Sequence, residues 1–98
     1  MHAVLFEVQP KPEKYDSYLN IAANLLPELE QIEGFISIER FKSLSTEGKL
    51  LSLSFWESEE ALIKWRNHFG HQMAQKAGRN TIFEDYRLKV VDVVRDYG

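Results

Sequence analysis

The sequence predicts an α+β fold whose elements follow one another in the order β-α-β-β-α-β. Four segments alternate apolar with other side chains, and two segments carry apolar residues at three- and four-residue spacing. Because β-α-β crossovers are right-handed, this order places the strands in one antiparallel four-stranded sheet with both helices on one face. At 98 residues the chain has room for one hydrophobic core. Residues 1–98 are therefore predicted to form a single domain.

The chain opens with a predicted strand and a predicted helix. Apolar and other side chains alternate over residues 2–8, and Pro10 ends this strand. Pro12 suits the first position of a helix, because the N–H that proline lacks would stay unpaired there. We expect Pro27 to kink or terminate the helix, since it cannot donate to the preceding turn. The apolar stripe of the helix comprises Tyr15, Tyr18, Leu19, Ala22, Leu25, Leu26 and Leu29.

The middle of the chain predicts a hairpin. Its strands cover residues 35–44 and 49–56, and residues 45–48 form the turn. Alternation in the later strand places Leu51, Leu53 and Phe55 on one face and Leu50, Ser52, Ser54 and Trp56 on the other. We expect Leu50 and Trp56 to lie on the sheet face away from the helices, together with valines of the last strand. A second copy of the chain would cover that apolar surface.

The last third of the chain predicts a second helix and a fourth strand. Ser58 is a strong helix start, because its hydroxyl can cap free N–H groups and the carboxylates after it favour the positive end of the helix dipole. We expect the helix to break at Gly70 and then to resume. Residues 82–94 alternate as a strand. The buried stripe of the helix is predicted to contain Leu62, Phe69 and Met73.

Composition and charge exclude several classes of function. A formal net charge of -3, with scattered lysine and arginine, provides no basic patch for nucleic acid. The chain has no cysteine, and therefore no disulfide framework and no thiolate metal site. No apolar run approaches the ~18 residues of a membrane span, and the N-terminus lacks a signal-peptide pattern. We predict a cytoplasmic protein that binds neither nucleic acid nor membrane.

Three segments resemble the antibiotic biosynthesis monooxygenase domain. They are residues 55–66, 71–79 and 83–87, within a similar order of elements over nearly the whole chain. The resemblance implies ferredoxin-like subunits that pair as a homodimer, a dimeric α+β barrel, with a substrate cleft between sheet and helices. The family includes cofactor-free oxygenases, haem-degrading enzymes and members without known activity. Specific residues must therefore indicate the chemistry.

One flank of the second helix carries the candidate catalytic residues. At about 100° per residue, Trp65, His68 and Gln72 lie beside the buried stripe, where a helix can line a cleft. Trp65 is either a core side chain or a wall of that cleft. His68 is either a surface histidine or a cleft residue that exchanges a proton. His71 lies on the solvent side unless Gly70 breaks the helix.

The resemblance implies an oxygenase of phenolic, quinol or polyketide-like aromatic substrates that needs no cofactor. Such chemistry requires a substrate that forms an electron-rich anion, which the protein must stabilise. We predict that Trp65 orients the aromatic ring and that His68 removes the proton. Related polyketide oxygenases have an asparagine one turn before this tryptophan, where the chain has Ala61. The predicted substrate-binding residues are Asn20, Asn24, His71, Gln72 and Arg79.

The sequence disfavours two alternatives to the oxygenase and leaves a third one open. Haem degradation is disfavoured, because Gln75 occupies the position of the relatives' iron-ligating histidine and residues 1–9 contain no asparagine. A metal site is disfavoured because His68 and His71 lack a nearby carboxylate in helical register. A non-catalytic dimeric module, which binds a small ligand or stabilises an assembly, remains the open alternative to the oxygenase.

Overall fold

A computed structural model describes the backbone of residues 1–77 and 83–98, and the side chains of residues 1–68 and 86–98. Its elements follow the predicted order, with a short 3-10 helix before the first α-helix. The strands and helices are β1 (His2–Pro10), α1 (Tyr15–Glu30), β2 (Phe35–Lys42), β3 (Leu50–Trp56), α2 (Glu59–Ala77) and β4 (Phe83–Asp92). The predicted strands and helices are confirmed, with ends that differ by a few residues.

The strands form one antiparallel sheet in the order β2-β3-β1-β4. Val4 of β1 pairs with Ser54 of β3 on one side and with Val90 of β4 on the other. Each β-α-β unit skips one strand, so the two units interleave and the central strands come from different units. This topology confirms the predicted α+β, ferredoxin-like fold.

Both helices pack against the same face of the sheet, as predicted. The buried members of the two core clusters are Val4, Leu29, Trp56, Ala61, Leu62 and Trp65 in one, and Phe6, Val8, Tyr18 and Leu50 in the other. Leu88 of β4 packs against both clusters and joins them. Full burial of one large apolar side chain contributes about 1.5–3 kcal/mol, so these clusters hold the helices to the sheet.

The prediction about the two faces of β3 is wrong. Leu50 and Trp56 lie under the helices and are 4% and 0% exposed. Ser52 and Ser54 share that face, and Ser54 Oγ accepts a hydrogen bond from Trp56 Nε1 at 2.9 Å. Alternation determines which residues share a face, but both faces of β3 carry large apolar side chains. The pattern therefore could not decide which face meets the helices.

The opposite side of the sheet, which we call the open face, is also apolar over part of its area. Phe41 and Val91 are 42% and 40% exposed there. Strand register places seven apolar side chains on the open face: Ala3, Leu5, Phe41, Leu51, Leu53, Phe55 and Val91. An apolar sheet face opposite the helices was thus predicted correctly, but with the wrong residues of β3.

The expected termination of α1 at Pro27 and the expected break of α2 at Gly70 are also wrong. α1 continues past Pro27 to Glu30, where Leu29 is buried and anchors the last turn. α2 is continuous through Gly70. One glycine costs a helix only about 1 kcal/mol relative to alanine, which the turns around it outweigh. Within the two described backbone ranges, no helix combines the length and apolar character that a membrane crossing requires.

The polar residues at the element ends explain where the elements begin and stop. Ser58 caps α2 as predicted, because its Oγ accepts a hydrogen bond from Ala61 N at 3.2 Å. β2 ends at Lys42, earlier than predicted. The hydroxyl of Ser43 accepts hydrogen bonds from two backbone N–H groups that follow it, which turns the chain out of the strand.

Candidate active site

The helices leave part of the sheet exposed along β4. On the helix-facing side, Tyr86 and Val90 are 63% and 41% exposed, whereas the β1 side chains paired with them are buried. Leu88 lies between them and is half-buried. Its β1 partner is Phe6, whose ring centroid lies 6.1 Å from that of Tyr86. These four side chains form a surface that we call the apolar wall.

Trp65 lies in the core next to the apolar wall. It is 4% exposed, and its ring centroid lies 5.7 Å from that of Trp56. Leu88 of the apolar wall packs against the core cluster to which Trp65 belongs. Of the two interpretations of Trp65, core packing describes its surroundings.

His68 faces α1 rather than the sheet. Its Nε2 atom lies 3.5 Å from Oε2 of Glu28, and this nitrogen is buried without a hydrogen bond to any described residue. The pair borders a cleft of about 380 Å³, which Gln31, Ile32 and Lys64 also line. Ile32 also packs against the core cluster to which Trp65 belongs. Among the described residues, no group of three metal-ligating side chains is present.

The predicted substrate-binding residues are placed only in part. Asn20 and Asn24 are exposed on α1, whose buried face is formed by other residues. The backbone of α2 continues through His71 and Gln72, but their side chains lie outside the described residues. Arg79 lies outside the described residues altogether. Of the predicted site, the structure therefore describes the side chains of Trp65, His68 and the two asparagines.

A second polar group lies deep under α1. Tyr18 is 1% exposed, and burial raises the pKa of its phenol, while the charge and hydrogen bond of Arg40 partly oppose the rise. Arg40 lies opposite Ser52 on the helix-facing side of β2, and its Nε is buried without a partner among the described residues. A raised pKa keeps Tyr18 protonated at neutral pH. Tyr18 therefore acts as a hydrogen-bonding core residue rather than as a base.

Sequence analysis missed Glu28 and the apolar wall. Glu28 belongs to α1 and His68 to α2, so their spacing along the chain gives no sign that they meet. A signal for the wall was present, because Phe6 and Tyr86 each share a strand face with an apolar residue two positions away. Pairing of β1 with β4 brings them together, since cross-strand neighbours lie about 5 Å apart.

Comparison with known proteins assigns the chain to a family. The family model described as Antibiotic biosynthesis monooxygenase matches residues 1–77. The chain is 52% identical over 93 residues to "Jasmonate monooxygenase ABM" of Pyricularia oryzae, covering 95% of the chain and 43% of that protein. It is 30% identical over 94 residues to uncharacterized protein YqjZ of Bacillus subtilis, covering 96% of the chain and 80% of that protein. The chain thus spans less than half of the jasmonate monooxygenase.

The fold has close counterparts among solved structures. The structure of Rv0793 from Mycobacterium tuberculosis superposes with a TM-score of 0.81 at 17% identity, covering 99% of this chain and 98% of that one. At that identity the similarity shows the fold alone. The family match includes β1, one of the two central strands of the sheet, and α2 with Trp65. The resemblance predicted from sequence is confirmed, and the chain belongs to the antibiotic biosynthesis monooxygenase family.

Proposed function

We propose that the chain catalyses the monooxygenation of a small ring-bearing molecule bound against the apolar wall. Family membership supports a monooxygenase. The observation that carries the proposal is the exposure of Tyr86 and Val90 on the helix-facing side of the sheet, beside the Trp65 cluster. Covering apolar surface stabilises a complex by roughly 25 cal/mol per Å². Ligand sites typically combine such a surface with a few polar groups, which the Tyr86 hydroxyl begins to supply.

The first proposed substrate class is a phenol, quinol or polyketide-like aromatic molecule. An activated ring methylene and one O2 yield a ring carbonyl and one water, so one oxygen atom enters the product and the other leaves as water. The substrate supplies all the electrons in this balance. For His68 to take the proton whose loss creates the electron-rich anion, the substrate would have to extend from the apolar wall to the cleft between α1 and α2 that His68 borders. There the Glu28 carboxylate at 3.5 Å would stabilise the positive imidazole.

The roles proposed for the remaining predicted residues concern the anion. His71, Gln72 and Arg79 would donate hydrogen bonds to the substrate oxyanion, which lowers the free energy of the charge that develops. Asn20 and Asn24 would contribute less to binding the oxyanion, since both are exposed on α1. Trp65 would orient the ring through the apolar wall that it supports.

Jasmonate is the second proposed substrate class. It comes from the name of the relative that is 52% identical to this chain. Hydroxylation of a saturated carbon converts one C–H and one O2 to one C–OH and one water, and it consumes two electrons and two protons. A reduced nicotinamide or flavin would supply the electrons. The two substrate classes therefore differ in whether oxygen uptake needs an added reductant.

Variants at the two predicted catalytic residues test the oxygenase. We expect the purified protein to accelerate oxygen uptake above autoxidation with quinols and polyphenols, or with jasmonate and a reductant. Trp65→Phe and His68→Ala should each lower turnover without unfolding the protein, and His68→Ala should lower it about 100-fold, because a general base contributes at least this much. Oxygen uptake and incorporation of isotopically labelled O2 into the product are the measurements.

The matched control is Ile63→Ala, since Ile63 lies on the same helix and is 38% exposed. This variant should keep the parent rate, and thermal melting of all three variants separates lost activity from lost structure. Unchanged rates in Trp65→Phe and His68→Ala would remove both assignments.

The alternative is a non-catalytic module that binds a small ligand or stabilises an assembly. The observation that favours it is the burial of Trp65, which leaves only 4% of this side chain in contact with solvent. Tryptophan fluorescence that responds to quinols or jasmonate, without any oxygen uptake, would support ligand binding alone. Product formation would exclude this alternative.

We propose that a second copy of the chain covers the open face. Apolar side chains from all four strands lie there, and Phe41 and Val91 are at least 40% exposed. A protein of this size buries only about 60–65% of the surface of its unfolded chain, so it gains stability from further burial. Packing of one open face on the other would bury these side chains sheet against sheet. The resemblance to dimeric α+β barrels supports the same arrangement.

A charge placed on the open face should dissociate this dimer. Leu53 lies on a central strand, paired with Leu5, so Leu53→Lys would bury an unpaired charge between the two sheets. We expect sedimentation at micromolar concentration to give twice the chain mass of 11.5 kDa for the parent protein and 11.5 kDa for the variant. Ile63→Lys, on the outer side of α2, should leave the dimer mass unchanged. A parent protein that sediments as a monomer would contradict the dimer.

A further inference from the structure

The open face carries opposite charges at its two edges. β2 and β4 are the edge strands of the sheet. Glu39 of β2 follows Ile38, which packs against the core under the helices, so Glu39 projects from the open face. Arg87 and Lys89 flank Leu88 of β4, which packs against that core as well, so both project from the open face too. One edge therefore presents a carboxylate, and the other presents two cationic groups.

The strand register places the charged residues in rows that cross the sheet. Glu39 pairs with Leu53. Leu5 pairs with Leu53 on one side and with Lys89 on the other. Glu39 and Lys89 thus end the same row, three strand spacings apart, and neighbouring strands are about 4.8 Å apart. The backbones of these two residues are therefore about 14 Å apart, so the side chains cannot pair within one chain.

The next row ends in an aromatic ring and a guanidinium group. Phe41 pairs with Leu51. Glu7 pairs with Leu51 on one side and with Arg87 on the other. Phe41 is 42% exposed, and Arg87 is exposed as well. An aromatic face attracts a cation, so the two ends of this row complement each other as those of the first row do.

The charges at the two edges are not balanced within the chain. Among the residues that the structure describes, none forms an ion pair with Glu39. At the other edge two ammonium groups share Glu7, whose Oε1 lies 3.3 Å from Lys49 Nζ and whose Oε2 lies 3.0 Å from Lys89 Nζ. Arg87, opposite Glu7, adds a third positive charge. A second copy that covers this face must therefore supply opposite charges, because a charge buried without a partner is costly.

Two open faces can pack aligned in two symmetric ways. The twofold axis of a dimer of stacked sheets lies parallel to both sheets, and aligned packing leaves it either along the strands or across them. An axis along the strands keeps each row level with the same row of the partner and places β2 of one copy over β4 of the other. An axis across the strands places β2 over β2 and β4 over β4, so that like charges face each other.

We propose, given the dimer proposed above, that its twofold axis runs along the strands. Glu39 of one copy then pairs with Lys89 of the partner subunit, and Phe41 lies against Arg87 of the partner subunit. Symmetry makes each contact twice. Stacked sheets are about 10 Å apart, a distance that a glutamate and a lysine side chain span together. The apolar side chains between the edges supply buried area in either arrangement, so the charges at the edges decide between the two.

A variant with exchanged charges tests the direction of the axis. Glu39→Lys combined with Lys89→Glu keeps both charge contacts in its own dimer, with their signs reversed. Equal amounts of this variant and of isotopically labelled parent protein are mixed and equilibrated, and native mass spectrometry then counts parent, variant and mixed dimers. A mixed dimer would place carboxylate against carboxylate and ammonium against ammonium. We expect about one mixed dimer in ten, whereas random pairing would give about half.

The opposite axis predicts the opposite result. With β2 over β2 and β4 over β4, a mixed dimer would bring unlike charges together, so more than half of the dimers would be mixed. Mixed dimers at or above about half would therefore overturn the proposed axis. The matched control is Glu30→Lys combined with Arg66→Glu, which makes the same exchange at exposed positions of the two helices and should pair with the parent protein at random.

A single change keeps the test independent of the contacts of Glu7. Glu39→Lys leaves Glu7 and its two lysines intact and should raise the dissociation constant of the dimer about tenfold, as measured by sedimentation over a range of concentrations. An unchanged dissociation constant would overturn the proposed axis, since like charges would then face each other before and after the change. A parent protein that is monomeric would overturn the dimer itself and not only the axis.

Discussion

Replacement of Gly34 by alanine is expected to lower the free energy of unfolding by about 3 kcal/mol. Gly34 has a φ of 95°, and a Cβ atom there would lie 2.8 Å from the Cβ of Ala61. The left-handed backbone costs an alanine roughly 1–2 kcal/mol, and the overlap adds a similar amount. The carbonyl of Gly34 also accepts a hydrogen bond from Glu57 N at 2.8 Å, so the loop cannot easily move away. The melting temperature should fall by about 15 °C.

Two other variants separate the cost of the left-handed backbone at Gly34 from the cost of the overlap with Ala61. Gly48 has a φ of 81°, but a Cβ atom added there would meet no neighbour within 4 Å, so Gly48→Ala should cost only about 1 kcal/mol. Ala61→Gly combined with Gly34→Ala should restore part of the lost stability, because it removes the overlapping methyl group. If Gly34→Ala and Gly48→Ala destabilise the protein equally, the contact with Ala61 is not the cause.

Replacement of Trp56 by alanine is expected to cost about 4 kcal/mol of unfolding free energy. Trp56 is the large side chain with 0% exposure, and its ring lies 5.2 Å from Phe35 and 5.7 Å from Trp65 between centroids. Its loss opens a cavity between sheet and helices that rigid strands cannot fill. The total free energy of unfolding of a domain of this size is about 5–15 kcal/mol. Chemical denaturation should therefore show a clearly lower free energy of unfolding for the variant.

The hydrogen bond from Trp56 Nε1 to Ser54 Oγ contributes a separable part of this effect. Ser54→Ala would leave the buried N–H unpaired and should cost about 1–2 kcal/mol. In the Trp56→Phe background the same change should cost much less, because no donor remains to be satisfied. An equal cost of Ser54→Ala in both backgrounds would show that the bond does not stabilise the native state.

The element order could be predicted from the sequence because its signals are local. Alternation over residues 2–8 and helical spacing from Tyr15 to Leu29 depend only on nearby residues and backbone geometry. The Ser58 cap is likewise local, since its hydroxyl reaches a backbone N–H in the next turn. Even so, Pro27 and Gly70 were given too much weight, because packing outweighed their local cost.

The candidate site was predictable only in part. Helical spacing placed Trp65 beside the buried stripe of α2, which the structure shows as a core position. Helical spacing could not show that His68 faces Glu28, because the two residues meet only through the packing of α1 against α2. The apolar wall depends in the same way on the pairing of β1 with β4.

The sequence by itself determined the order of strands and helices, the residues that share each face, and the family. Only the tertiary structure decided which face of β3 lies under the helices, with Leu50 and Trp56 buried and Leu53 on the open face. It also decided which distant side chains meet, as Glu7 does with Lys89. The physical reason is that periodicity reports the geometry of one element, whereas burial and charge pairing depend on free energies summed over elements far apart in the chain.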